Sequence, residues 1–213
     1  MNIILIGARG HARSVADVIN AEGQYRITGL IDSFQKPGTI CFGYEIIGGE
    51  KDLPQICHDL NIHKIFIAIG DNYQRQAMAK RVQEAIPDIE FITCIHPSAI
   101  IGSDIKIGAG TAIMPGVIII SGCSIAEGCL LNTASSIDHD GIMKPYSSFG
   151  PGVIAGGRLL LGERSSINLG AKIVNDISIG HDTLIGAGSV VTKDIPDFSI
   201  AVGNPARVIK QRN

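Results

Sequence analysis

The 213-residue sequence predicts an α/β domain with a parallel, Rossmann-like sheet over residues 1–92, followed by a parallel β-helix of hexapeptide repeats over residues 93–213. Three observations carry this prediction. Apolar strand-like runs alternate with helix-like stretches through the first part of the chain. From Ile95 an apolar residue then recurs at every sixth position, without insertion, as far as Val191. Glycine and polar residues also cluster where the first strands end.

Composition narrows the function. The chain is 45% hydrophobic with a formal net charge of −2, which argues against nucleic acid or an anionic membrane as its main partner. No apolar run approaches the ~18 residues that a membrane helix needs, and MNIILIGARG lacks the features of a signal segment. The five cysteines, at 41, 57, 94, 123 and 129, form no C-x-x-C pair. Reduced thiols in the cytoplasm, with no disulfide framework and no metal site, are the expectation.

In the first domain, MNIILIG reads as a buried strand and GHARSVADVIN (10–20) as a helix opening directly after it. YRITGLID is a second strand, residues 50–60 are helical, KIFIAIG is a strand, NYQRQAMAKRVQEAI is a helix, and IEFITCI is a last strand. Alternation of this kind implies a parallel sheet covered by helices. Its loops suggest a ligand. Gly7, Arg9, Gly10 and His11 join the first strand to the first helix, where free backbone N–H groups can meet a phosphate. Asp32 and Ser33 end the second strand, where a carboxylate can reach a sugar hydroxyl. Gly70 and Asn72 lie at the same sheet edge. The spacing is G-x-x-G, not G-x-G-x-x-G, so a mononucleotide fits better than a dinucleotide. Tight strand–helix turns with no ligand are the competing explanation.

The repeat contains seventeen apolar positions, from Ile95 through Ile137 and Phe149 to Val191. A period of six fits neither a helix nor a plain alternating strand. It fits one short strand and one tight turn, repeated. Three strands close a coil, so residues 18 apart stack, and Ile101, Ile119, Ile137, Ala155, Ile173 and Val191 form one internal column. The slot four residues beyond each apolar position is often small. Cys123 and Cys129 occupy it and read as packing residues.

G-A-R-G-H-A, the I-D pair, A-I-G-D-N-Y-Q-R, I-H-P-S-A-I-I-G, the hexapeptide run and the exit V-G-N-P-A-R together resemble one family. It is the bacterial hexapeptide-repeat sugar acetyltransferases, which include UDP-amino-sugar (bacillosamine-pathway) and GDP-perosamine N-acetyltransferases and sialic-acid O-acetyltransferases. The resemblance implies a left-handed β-helix, a hand that spacing alone does not predict. It also implies a homotrimer with active sites between subunits and acetyl-CoA in the groove between neighbouring helices. Acetyl-CoA contacts are implied at Ser148, Gly157, Leu169 and Ala187.

Residues 137–140 read I-D-H-D. A carboxylate beside an imidazole favours its protonated form and, when hydrogen-bonded to it, selects one tautomer. Acetyl transfer needs a base for the attacking amine or hydroxyl, and the family carries a His followed by an acidic residue at this point. The resemblance therefore makes His139 the general base and Asp140 its orienting partner. Adjacent residues of a flat strand face opposite ways, so this pairing requires a corner; otherwise Asp138 takes the role. His181, in I-G-H-D-T-L, reads as a surface residue. The expected activity is N-acetylation of a nucleotide-linked amino-sugar, a 4-amino-sugar first among them, in surface glycan biosynthesis. The alternatives are O-acetylation of a sialic acid and, more remotely, a non-catalytic nucleotide-sugar-binding scaffold.

Overall fold

The computed structural model describes residues 1–212 and divides into two compact units, Met1–Ile95 and a second from His96 onward. The division falls after Ile95, not after residue 92, because Cys94–Ile95 packs against the first helix of the first unit.

The first unit is built on β1 (Asn2–Ile6), α1 (Gly10–Glu22), β2 (Arg26–Ile31), β3 (Ile40–Cys41), β4 (Tyr44–Gly48), a 3-10 turn at Glu50–Asp52, α2 (Leu53–Asp59), β5 (Lys64–Ile67), α3 (Asn72–Ala85) and β6 (Glu90–Phe91). The sheet order is β3-β4-β2-β1-β5-β6, parallel except for the β3–β4 hairpin. β1 is central, which is why Ile3, Ile4 and Leu5 are fully buried. The chain runs from β1 through β2 to β4 on one side, then crosses to β5 and β6 on the other. The order therefore reverses between β1 and β5. In such sheets, ligand sites form in the crevice at the carboxyl ends of the two strands flanking that reversal.

In the second unit, two-residue strands stack in parallel on three faces. The first face holds Ile100–Ile101, Ile118–Ile119, Ser136–Ile137, Ile154–Ala155, Lys172–Ile173 and Val190–Val191. The second runs from Lys106–Ile107 to Ser178–Ile179, and the third from Ala112–Ile113 to Leu184–Ile185. Pairing is in strict register, Ile119 with Ile137 and Ile137 with Ala155. Ile119, Ile137, Met143, Phe149, Leu161, Ile167, Ile185 and Val191 are fully buried, so the six-residue period is the period of the core. The exit motif turns Ser199–Gly203 back on Ala206–Gln211 as an antiparallel hairpin through a cis Asn204–Pro205 bond.

The small slots do more than fill space. Thr111 Oγ1 donates to Ala126 O in the next coil (3.0 Å) and accepts from Cys129 N (3.2 Å). Ser165 does the same with Gly180 O (2.5 Å) and Thr183 N (2.8 Å). Cys123 Sγ donates to Asp138 O (3.1 Å) and accepts from Gly141 N (3.3 Å). Each small side chain thus clasps both ends of the turn stacked upon it, satisfying backbone groups buried from water. Cys123 clasps the turn that carries His139.

Candidate active site

His139 lies on the corner between the first and second faces, in the turn that follows Ser136–Ile137. Asp140 adopts the left-handed conformation there (φ +58), which Asp tolerates better than most residues. This reversal puts two adjacent side chains on the same side. His139 Nδ1–H donates to Asp140 Oδ2 at 2.8 Å; an ionised carboxylate can only accept, so the proton sits on Nδ1. Nε2 then carries the lone pair and has no partner among the described residues. Asp138 is engaged elsewhere, its Oδ1 accepting from the His139 backbone N–H at 2.8 Å.

Two glycines shape this corner. A Cβ on Gly157, one coil later, would stand 2.6 Å from His139 Nε2. A Cβ on Gly122, one coil earlier, would stand 2.6 Å from Asp140 Oδ1. In the sequence Gly157 reads as an acetyl-CoA contact and Gly122 as a turn glycine, and neither shows its closeness to the His-Asp pair.

The same His-Asp turn occurs a second time, and the comparison separates chemistry from architecture. His181 Nδ1 meets Asp182 Oδ2 at 2.8 Å, and Asp182 is again left-handed (φ +53). Here, however, His181 Nε2 meets Asp197 Oδ2 at 3.1 Å and the ring packs edge-on against Phe198. Arg164, one coil earlier, bonds both oxygens of the buried Asp182 at 2.7 and 2.6 Å. With a carboxylate at each ring nitrogen, His181 ties the last coil to its neighbour and leaves neither nitrogen open.

The first unit holds a cleft of about 470 Å³ at the carboxyl edge of its sheet. Gly7, Arg9, His11, Asp32, Ser33 and Gly70 line it together. Gly7 needs its freedom: φ is +114, and a Cβ would meet Ala68 O at 2.9 Å. α1 has no side-chain cap, whereas α3 is capped by Asp71, which accepts from Gln74 N at 2.9 Å. Asp32 Oδ1 accepts from Phe34 N (2.8 Å) and Gln35 N (3.2 Å), a turn that aims the loop and leaves Oδ2 without a partner among the described residues. Ser33 Oγ accepts from Glu50 N at 3.1 Å. Gly10 and Asn72 do not line the cleft. Asn72 is buried, and its Oδ1 accepts from the buried Arg75, which also donates to Ile69 O and Gly70 O. His11 Nε2 is buried without a partner, and burial, then the charge of Arg75, pushes the imidazole pKa down to about 4. Sequence reasoning missed Phe34, Glu50, Gln74, Met78 and Arg81. Phe34 is 85% exposed with Arg9 stacked 5.3 Å from its ring; an aromatic just after an I-D-S strand end was the available signal.

The residues implied for acetyl-CoA lie on different parts of the second unit. Gly157 shares the His139 corner, and its N–H donates to Asn175 Oδ1 at 3.2 Å. Leu169 and Ala187 stack one coil apart on the corner between the third and first faces, where Leu169 is 60% exposed. Ser148 lies on the third face. Among the described residues no three His, Cys, Asp or Glu side chains converge as a metal site, and no helix is long and apolar enough to cross a membrane.

Comparison with known proteins agrees with this architecture. A family model described as the PglD N-terminal domain matches residues 2–82. A mutant of perosamine N-acetyltransferase from Caulobacter crescentus, in complex with CoA and GDP-perosamine, is 30% identical with a TM-score of 0.93, covering 99% of this chain and 98% of that chain. The acetyltransferase domain of PglB from Neisseria gonorrhoeae FA1090, in complex with acetyl coenzyme A, is 28% identical with a TM-score of 0.88, covering 98% of each chain. UDP-N-acetylbacillosamine N-acetyltransferase of Bacillus subtilis (strain 168) is 33% identical over 114 residues, 53% of this chain and 51% of that protein. The chain spans about half the length of the curated relatives it matches. A parallel-sheet unit that matches PglD, joined to a β-helix that superposes on a sugar N-acetyltransferase over nearly its whole length, places the chain in the bacterial hexapeptide-repeat sugar acetyltransferases, with that family's left-handed parallel β-helix.

Proposed function

We propose that the chain transfers the acetyl group of acetyl-CoA to the amino group of a nucleotide-linked amino-sugar, a 4-amino-sugar first among the candidates, in surface glycan biosynthesis. The observation that carries the reading is the His139–Asp140 corner: one ring nitrogen anchored at 2.8 Å, the other open. In this reading the cleft of the first unit holds the nucleotide. The unpartnered Asp32 Oδ2 suits a sugar hydroxyl, and the uncapped α1 suits a phosphate.

His139 Nε2 takes a proton from the amine as the nitrogen attacks the thioester carbon. A carbon–nitrogen bond forms and the carbonyl oxygen gains charge, which a backbone N–H stabilises. Collapse breaks the carbon–sulfur bond, and the imidazolium returns its proton to the leaving thiolate. Asp140 holds the Nδ1 proton throughout, so Nε2 is the nitrogen that takes and returns the proton. No covalent enzyme intermediate is required.

Ser148, Leu169 and Ala187 reach the same acetyl-CoA as His139 in this reading when a neighbouring copy supplies another corner, as in a homotrimer. The five free cysteines and both substrates suit the cytoplasm. Acetylation of a free sialic acid has less support: among the structures that match over nearly full length, one is a perosamine N-acetyltransferase with GDP-perosamine bound and one an acetyltransferase domain with acetyl coenzyme A bound.

The test is thiol release from acetyl-CoA by wild type and His139→Ala, with UDP-, dTDP- and GDP-linked 4-amino-sugars and free sialic acid as acceptors. Turnover of one nucleotide sugar, lowered about 10²–10⁴-fold in the variant, is the expected result. Turnover of sialic acid alone, or full activity of the variant, overturns the reading.

A further inference from the structure

We infer that Asp176 is a positioning residue for His139: it holds the Arg158 guanidinium away from Asp140, so that Asp140 serves the imidazole alone. The inference rests on His139 acting as the base.

Asp140, Arg158 and Asp176 occupy the same corner position in three successive coils, with φ of +58, +58 and +63. Stacked strands are about 4.8 Å apart, so Arg158 can reach the carboxylate on either side. It takes one of them. Nε donates to Asp176 Oδ1 at 2.5 Å and Nη2 to Oδ2 at 2.8 Å. Both side chains are about half exposed or more, at 49% and 63%, and such pairs add little to stability. The pairing therefore matters for where it leaves the positive charge.

The second His-Asp corner shows the alternative. There the arginine one coil earlier, Arg164, bonds both oxygens of Asp182, and the carboxylate is shared between guanidinium and imidazole. An arginine at the same position of a different corner column does take the carboxylate of a neighbouring His-Asp pair when that is the carboxylate it meets. At His139 both routes are closed. The position before Asp140 is Gly122, which has no side chain, and the position after it is Arg158, already engaged by Asp176. Without the Asp176 charge, the carboxylate left beside Arg158 is Asp140. A bidentate grip there shares Asp140 between guanidinium and imidazole, as Asp182 is shared between Arg164 and His181, and weakens its hold on the Nδ1 proton of His139.

The test uses Asp176→Asn, since Asn tolerates the left-handed conformation, and Arg158→Gly, the residue already used at position 122. The readouts are kcat and KM for thiol release, and ¹⁵N spectra of histidine-labelled protein, which report the tautomer of His139. Asp176→Asn is expected to lower kcat about tenfold, a part of what a general base contributes, with KM for acetyl-CoA changed less than about twofold. Adding Arg158→Gly restores kcat, and Arg158→Gly alone leaves it unchanged. In the spectra, wild type shows the Nδ1–H form, Asp176→Asn a mixture, and the double variant the Nδ1–H form again. Wild-type kcat and tautomer in Asp176→Asn, or a loss that Arg158→Gly does not repair, overturns the inference. Should His139→Ala retain full activity, the base reading fails separately, and the tautomer spectra still decide whether Asp176 governs the imidazole.

Discussion

Gly157 faces the open nitrogen of His139, and a methyl group there would stand 2.6 Å from Nε2. The contact is to the far end of a side chain, so the ring can turn aside, but only by leaving the orientation that Asp140 sets. Gly157→Ala is therefore expected to fold normally and to lose about 10–100-fold in kcat, the order of penalty for a misplaced catalytic group. Steady-state kinetics beside a thermal melt checks this. Unchanged kcat would show that the imidazole works in more than one orientation.

His181 should matter for stability and not for turnover. His181→Ala is expected to keep wild-type kcat while costing about 1 kcal/mol, the scale of the lost side-chain hydrogen bond to Asp182. Arg164 first, and His181 after it, hold the Asp182 carboxyl below the usual carboxylate range. A depressed carboxylate contributes stability that is present above its unfolded-state pKa, ~3.9, and is lost as pH falls through the folded-state value. Asp182→Asn should therefore flatten the dependence of stability on pH below about 4, as read by chemical denaturation.

His11 gives its effect in a different window. Its imidazole is driven down to about 4 by burial and by Arg75, so the unfolded chain binds the proton more readily than the fold does. Stability should rise with pH from about 4 to about 6.5 and be lost as acid protonates the unfolded state, by roughly 3 kcal/mol at most. Denaturation of the full chain across this range, with His11→Gln as the flat control, measures it. An identical slope in the control would remove His11 as the cause.

How far the sequence could be read depended on how many residues share one constraint. Every inward position of the β-helix must be apolar, so seventeen residues carried one message and the coil was legible without structure. The β3–β4 hairpin was not. Its turn is Phe42–Gly43, with φ of +39 and +90, and Phe is not a turn signal. IEFITCI read as one strand and is two, Glu90–Phe91 and Cys94–Ile95.

At the site, His139 stood out because charge replaced the small residues around it. Gly122 did not, and Gly157 stood out only as an acetyl-CoA contact, since what either glycine does to the pair depends on what stacks 18 residues away. Asn72 and Ser33 show the converse limit. Both are polar residues at a ligand-type edge, but the structure engages them within the protein, with Arg75 and with the Glu50 backbone. His181 reads in sequence as a surface residue, and its contacts with Asp197, sixteen residues further on, and with Phe198 appear only in the structure.

The clasp from Cys123 onto Asp138 and Gly141 spans 15 and 18 residues. Numbering along the chain is therefore also height along the coil. One residue inserted between Cys123 and Asp138 would slide every later side chain off its mark, turning core outward and moving His139 from between its two glycines. Eighteen residues inserted there could lengthen the coil by a whole turn, leaving everything above it in step. The β-helix works as a graduated rod, and side chains can be relocated along that rod only in whole graduations.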